Sequence, residues 1–150
     1  MTRTASANVS PMAMAFCFHH GRVSFTAYAT FRLPITAVTP LDAAHNADAW
    51  RTLAAELPPS FVAVVSVSLD KPPAELRVAL EHALAVIATA AWPGRSLGAA
   101  ELADVVGGEA IDDPRVATRA GLEQARARDV PLVVFGSAYL LRHALDELGL

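Results

Sequence analysis

The hydrophobic pattern divides the chain near residue 33. Residues 1–20 show neither clean periodicity nor helix caps, and only a short apolar run from Pro11 to Phe18 stands out. Val23–Arg32 (VSFTAYATFR) partly alternates and is rich in Val, Phe, Tyr and Thr, which suit a strand. From Leu33 the pattern becomes regular. Ile35–Leu41 is a short β-prone run ending at Asp42. An Ala-rich helix follows, with Trp50, Leu53 and Leu57 on one face and Pro58-Pro59 as its stop. Phe61–Val67 (FVAVVSV) is continuously apolar but for Ser66, as a strand covered on both faces must be. Pro72-Pro73 opens a helix through Leu76, Leu80 and His82, because proline suits a first helical turn. Ala83–Thr89 predicts a further strand, Trp92–Arg95 a loop, and Leu97–Val106 a helix stopped by Gly107-Gly108. Asp113-Pro114 starts a helix to about Arg128. Pro131–Phe135 predicts a strand, Gly136 a turn and Ser137–Leu148 the last helix.

Strands and helices alternating over short loops predict an α/β domain, a Rossmann-like three-layer fold with a mainly parallel sheet. Right-handed crossovers then place helices on both faces. The expected organisation is an irregular or weakly structured segment at 1–32 and the α/β domain at 33–150, with residues 1–20 dispensable for folding. In such sheets ligands sit at the carboxyl ends of the strands. Three segments fall there: Asp42–Asn46, Asp70-Lys71 and Gly136–Tyr139.

Composition narrows the function classes. With 150 residues, 53% of them apolar and 18% charged, the chain suits one packed domain without staples. The single cysteine, Cys17, excludes an internal disulfide framework and a cysteine-based zinc site. A net charge of −3 argues against nucleic acid as a partner. No apolar run approaches the roughly 20 residues of a membrane helix, and Pro11–Phe18 makes a poor secretory signal, being short, opened by Pro11 and followed by no good A-x-A cleavage site. No membrane partner is expected, and the location read from this is cytoplasmic. Charge is uneven: residues 1–41 hold Arg3, Arg22 and Arg32 with no acid, whereas the remainder sums to −6. Lys71 is the one lysine in the chain.

Each strand end carries candidate chemistry beside a plainer reading. In Leu41–Asn46 (LDAAHN), a carboxylate suits a ribose hydroxyl, and His45 with nearby helix amides suits phosphate oxygens. Asn46 as a helix N-cap with Asp48 on the dipole explains the same residues. Lys71 leaves a buried strand and can meet a phosphate or carboxylate, or sit in a solvated turn paired with Asp70. Ser137, after Gly136, can hold an anion at a helix start or merely cap that helix. It is no nucleophile elbow, because Tyr139 stands where the second glycine belongs. Arg95 follows a strand and is a candidate to line the same edge, a solvated loop arginine being the plainer reading. His82 and His143 read as surface or boundary positions, and adjacent His19-His20 make no metal pair. No metal site is expected on this chain.

These segments, in this order, resemble the carboxyl-terminal domain of the folylpolyglutamate synthase and dihydrofolate synthase family, within the Mur ligase superfamily. The resemblance covers about Leu41 to Leu150. LDAAHN is similar to the family's Asp-Gly-Ala-His-Asn segment, and Asp70-Lys71 matches its Asp-Lys motif. Trp92–Leu102 resembles its loop into Arg-Ser/Ala-Leu and an acidic helix, and Val134–Leu140 (VFGSAYL) matches its Gly-Ser-x-Tyr-Leu segment. The resemblance implies a domain that follows a central P-loop ATPase domain, with ATP and magnesium between them. It implies amide ligation: ATP phosphorylates a carboxyl of a pteroate or folate, and the amino group of L-glutamate attacks the acyl phosphate. Asp42 would then contact the nucleoside of ATP, and His45 and Asn46 would lie beside its phosphates. Lys71 and Ser137 would face glutamate or the acyl phosphate, with Tyr139 packing nearby. Gly-x-x-x-x-Gly-Lys-Ser/Thr occurs nowhere in the chain, and Gly21-Arg22 is the one candidate for the family's arginine-bearing linker. The expectation is a ligase domain alone on its chain, as a fragment or half of a split enzyme, inactive by itself and without a tightly bound cofactor. Its alternatives are a non-catalytic nucleotide- or amino-acid-binding module, or an interaction protein capping a separate ATPase domain.

Overall fold

A computed structural model describes the backbone of residues 14–19, 22–28 and 34–40, and residues 51, 54–55 and 57–149 in full. Seven strands form one sheet: β1 (Met14–His19), β2 (Arg22–Tyr28), β3 (Pro34–Pro40), β4 (Phe61–Val65), β5 (Ala83–Ala88), β6 (Glu109–Ala110) and β7 (Leu132–Phe135). Their spatial order is β1-β2-β3-β7-β4-β5-β6. The β1–β2 and β2–β3 pairings are antiparallel, and the four from β3 to β6 are parallel. The fold is α/β, with a mainly parallel sheet between helical layers, as the sequence predicts. The stretch expected to be irregular holds β1 and β2, so removal of residues 1–20 takes away a hydrogen-bonded edge strand and not just a tail.

Period-two alternation along buried strands separates two cores. Phe61, Ala63 and Val65 of β4, with Val133 and Phe135 of β7, pack on Leu76, Leu102 and Ala103. Those last residues come from a 3₁₀ helix (Pro73–Leu80) and from α1 (Ala99–Val106). Val62 and Val64, with Leu132 and Val134, face the other layer, where Ala117, Ala125, Leu140 and Ala144 pack. These belong to α2 (Pro114–Arg128) and α3 (Ala138–Leu148). Every β4 residue is buried, because both faces are covered. Gly121 brings α2 onto the sheet: a Cβ there would lie 2.5 Å from Val64 Cγ2.

Local chemistry sets the element ends. The Asp113 side chain accepts from the backbone N–H of Arg115 and Val116 and so caps α2, with Pro114 in its first turn. Gly107, at φ 76°, ends α1 in the left-handed region. The helix expected from Pro73 to His82 is a 3₁₀ helix that stops at Leu80 and leaves His82 exposed. Strand β6, only two exposed residues long, has no counterpart in the hydrophobic pattern. The helix expected after Asp42 lies largely outside the described residues.

A candidate ligand edge at the switch point

The chain order reverses between β4 and β7. From β4 it proceeds through β5 to β6 on one side, then crosses by α2 to β7 on the other. In open parallel sheets this reversal leaves a crevice beyond the carboxyl ends of the two neighbouring strands, where ligands bind. Here those ends are in intimate contact. Gly136 follows β7 at φ 103°, and any Cβ on it would overlap the Ser66 carbonyl oxygen just past β4. Only glycine meets both demands.

Beyond Ser66 the chain runs on to form one wall of a cleft. Leu97 N–H donates to the Val67 carbonyl and Leu69 N–H to the Arg95 carbonyl, flanking an antiparallel bridge between Ser68 and Ser96. The loop that pairs here turns at Trp92-Pro93-Gly94-Arg95. Arg95 N–H donates to the Trp92 carbonyl at 3.0 Å, and Gly94 supplies φ 73°. Proline then glycine at the two central positions is what such a turn needs. Ser96 Oγ closes it, donating to the Trp92 carbonyl and accepting from the Trp92 N–H. Buried Ser66 Oγ accepts from Ala91 N–H and ties this loop to the end of β4. The cleft encloses about 300 Å³ and is lined by Ser68, Leu69, Asp70, Trp92 and Arg95.

The third segment completes the edge. Ser137 caps α3, its Oγ accepting from Tyr139 N–H at 3.2 Å. That contact uses a lone pair and leaves the hydroxyl proton to donate elsewhere. Tyr139, 40% exposed, stacks on Trp92 with ring centroids 3.9 Å apart and an interplanar angle of 27°. The guanidinium carbon of Arg95 lies 5.3 Å from the centroid of the Trp92 ring.

Of the residues singled out from sequence, Lys71 and Ser137 follow the carboxyl ends of the adjacent strands β4 and β7. Lys71 is half-buried, and its backbone N–H donates to the Ser68 carbonyl. Arg95 and Tyr139 reach the same edge through the Trp92 ring. Asp42, His45 and Asn46 lie outside the described residues. Sequence reasoning gives no role to Trp92 or Leu69, and it singles out Asp70 only as the neighbour of Lys71 in the Asp-Lys motif. The Pro93-Gly94 pair signals the turn itself, but nothing local announces that Trp92 stacks on Tyr139. His143 is half-buried, and its Nδ1 has no hydrogen-bond partner. Among the described residues no three His, Cys, Asp or Glu side chains gather into a metal-binding group, and no helix is long and apolar enough to cross a membrane.

No protein-family model matches the sequence, and no curated protein matches it. Solved structures do. A folylpolyglutamate synthase of Mycobacterium tuberculosis, complexed with ADP and AMPPCP, is 23% identical with a TM-score of 0.61, over 75% of this chain and 30% of that one. The bifunctional folylpolyglutamate synthase/dihydrofolate synthase of Yersinia pestis, complexed with AMPPNP and a manganese ion, is 26% identical with a TM-score of 0.59, over 75% and 29%. E. coli FolC in complex with DHPP and ADP is 20% identical with a TM-score of 0.58, over 75% and 28%. The chain therefore spans less than a third of the length of these enzymes. Four motifs in order and a shared architecture lead to one conclusion: this chain carries the fold of a segment of the folylpolyglutamate synthase/dihydrofolate synthase family.

Proposed function

We propose that this chain is the carboxyl-terminal, ATP- and glutamate-facing domain of an ATP-dependent amide ligase acting on a pteroate or folate, inactive without a P-loop ATPase domain. The observation that supports this reading is that Lys71 and Ser137 both follow the carboxyl ends of β4 and β7, two strands that pair side by side. The proposed division has the ligase domain at 33–150, with 1–32 preceding it.

In the complete enzyme a carboxylate oxygen of the pteroate attacks the γ-phosphorus of ATP, giving an acyl phosphate and ADP. The neutral amine of glutamate then attacks the acyl carbon, and the C–O bond to phosphate breaks. The nitrogen loses a proton, leaving an amide and inorganic phosphate. This chain's residues bind and orient. Lys71 presents a positive charge to the anions at the edge, and Ser137 donates its hydroxyl proton to an oxygen there. Tyr139, on its exposed side, packs against the ligand. Asp42 is assigned to the nucleoside and His45 with Asn46 to the phosphates. Magnesium, which would supply charge neutralisation on the transferring phosphoryl group, is assigned to the ATPase domain, as the family resemblance implies. A soluble, cytoplasmic location accompanies this reading.

The decisive experiment is ligation by the chain reconstituted with a candidate ATPase domain. The chain alone turns over no ATP, the pair ligates glutamate, and Lys71→Ala abolishes most ligation while the melting temperature stays close to wild type. Full activity of Lys71→Ala overturns the assignment. Calorimetric binding of ADP by the lone chain, with no ligation in the pair, favours a non-catalytic nucleotide-binding module. Tight association of the two without nucleotide binding favours a capping protein.

A further inference from the structure

The three strands β1–β3, at one end of the sheet, carry two unlike faces. Residues paired across a sheet share a face. The register sets Phe16 opposite Phe25 and Phe25 opposite Ala37, with Phe18 opposite Val23 in the next row of that face. Ile35 and Ala37 pair in turn with Leu132 and Val134 of β7. All of these positions therefore fall on the side of the sheet where α2 and α3 pack. No charged residue falls on this face of β1–β3, whereas the opposite face takes Cys17, Arg22, Ser24, Thr26 and Thr36. An antiparallel sheet with one apolar and one polar face packs its apolar face on another layer. Here α3 packs against β3, but among the described elements β1 and β2 find their extensive contacts with neighbouring strands. Two further strands widen a sheet by roughly 10 Å, about the width of one helix. The crossover out of β3 returns on the other side of the sheet, where Leu57 packs on the cluster around Phe61 and Phe135.

We propose that a second copy of the chain covers this apolar face, the β1–β3 sheets of two protomers packing face to face about a two-fold axis. The patch carries no charge, so setting it against itself meets no like-charge repulsion, as an isologous interface requires. Its composition is that of a homodimer interface core, from which charged residues are depleted. Large apolar residues each remove roughly 60–120 Å² from water on burial, so three such strands bring roughly 600 Å² per copy. That approaches the ~800 Å² per partner of a standard stable interface. Two sheets stacked in this way sit about 10 Å apart with their apolar rows interdigitated. The face is a side of the sheet and not its carboxyl edge, so this inference stands apart from the ligase reading.

The test is sedimentation velocity of the full 150-residue chain over a wide range of concentration, with far-ultraviolet circular dichroism on every variant. The chain sediments as a dimer, twice the 15.8 kDa of one copy, and its melting temperature rises with concentration. Phe25→Lys places an unpaired charge in the interface and weakens dimerisation roughly a hundredfold or more. Thr26→Lys, one position along the same strand and on the opposite face, leaves the dimer intact. Where lysine disturbs the strand itself, Phe25→Thr keeps a β-branched residue there and gives a monomer with the wild-type far-ultraviolet spectrum. Hydrogen exchange separates this packing from edge-to-edge pairing, because amides on the outer edge of β1 exchange fast when two sheets merely stack. A monomer at every concentration, a dimer that both Phe25 variants leave unchanged, an equal loss in Thr26→Lys, or protection along the outer edge of β1 overturns the proposal. A monomer whose Phe25 variants lose binding to a P-loop ATPase domain overturns it too, and gives the face to that domain.

Discussion

Two charged surfaces of this domain are built on opposite terms. On the α2–α3 flank, Arg119 places both Nε and Nη2 on Glu147 Oε1 at 2.8 and 2.6 Å, and Arg115 meets Asp146 at 3.2 Å. Each guanidinium there is spent on a carboxylate. At the switch-point edge Asp70 and Arg95 line one cleft unpaired, and Lys71 forms no ion pair among the described residues. A charge that finds a partner within its own chain needs nothing else. Charges gathered in a cleft and kept apart are available to something that arrives. The difference separates charge paired across two helices from charge left unpaired at the end of the sheet.

The edge depends on a backbone contact that admits no side chain, so Gly136→Ala is expected to have the largest effect. It forces a Cβ into the Ser66 carbonyl at a φ that non-glycine residues avoid. The cost is on the order of 3 kcal/mol or more, read as the loss of unfolding free energy in a urea titration. The α2–α3 contacts, away from that junction, should outlast the edge in native-state hydrogen exchange. Wild-type stability in Gly136→Ala breaks the picture of a junction that fixes both strand ends.

Next comes Trp92→Ala. It removes the Tyr139 stack and the seat of Arg95 together, for about 2 kcal/mol of lost burial and ring contact. Near-ultraviolet circular dichroism should lose its aromatic signature to a similar degree in Trp92→Ala and Tyr139→Ala. If only one of the two changes it, the stack is not the unit that braces the edge.

How much of this was legible follows from which signals are local. The continuous apolar runs at Phe61 and Leu132 announced strands covered on both faces, and the Asp113-Pro114 and Ser137 caps located helix starts within a residue. The local pattern marks Gly136 as a turn, but the need for glycine comes from Ser66, a residue distant in sequence. The Trp92–Tyr139 stack likewise joins a loop to the first turn of α3, which only the parallel sheet brings together. The 3₁₀ character of Pro73–Leu80 was hidden because its apolar spacing also fits an α-helix. Strand β6 was invisible because Glu109 and Ala110 are exposed, and their pairing with Ile87 and Ala88 leaves no hydrophobic trace. Asp70 and Arg95 come to one cleft through the Ser68–Ser96 bridge, which no local pattern announces.

On the paired flank the effects should be small. A double-mutant cycle over Arg119→Ala and Glu147→Ala is expected to give a coupling below about 1 kcal/mol, because Arg119 is well exposed. The coupling should shrink further as ionic strength rises. Lys71→Ala, by contrast, should leave stability within about 1 kcal/mol of wild type and lose no salt-dependent coupling to Asp70. A strong Lys71–Asp70 coupling in solution erases the contrast between the two surfaces.

The smallest expected effect lies where α2 begins and isolates a charge whose work is purely structural. Backbone N–H groups of Val116 and Arg115 hold the Asp113 carboxyl below the ordinary aspartate range, with lesser help from the charges of His143 and Arg115. A carboxylate with a depressed folded-state pKa stabilises the native state at any pH above its unfolded value. It loses that contribution as the pH falls through the folded value. Asp113→Ala should therefore lower the melting temperature slightly at neutral pH, and the gap to wild type should close below about pH 4, where the unfolded chain takes up its proton. Asp113→Asn keeps a capping oxygen without the charge. It should fall between the two at neutral pH, and its gap to wild type should close over the same range, because in both comparisons the titrating group is the wild-type carboxylate. A gap that persists unchanged into strong acid means that packing of the Asp113 side chain, and not its charge at the helix start, carries the effect.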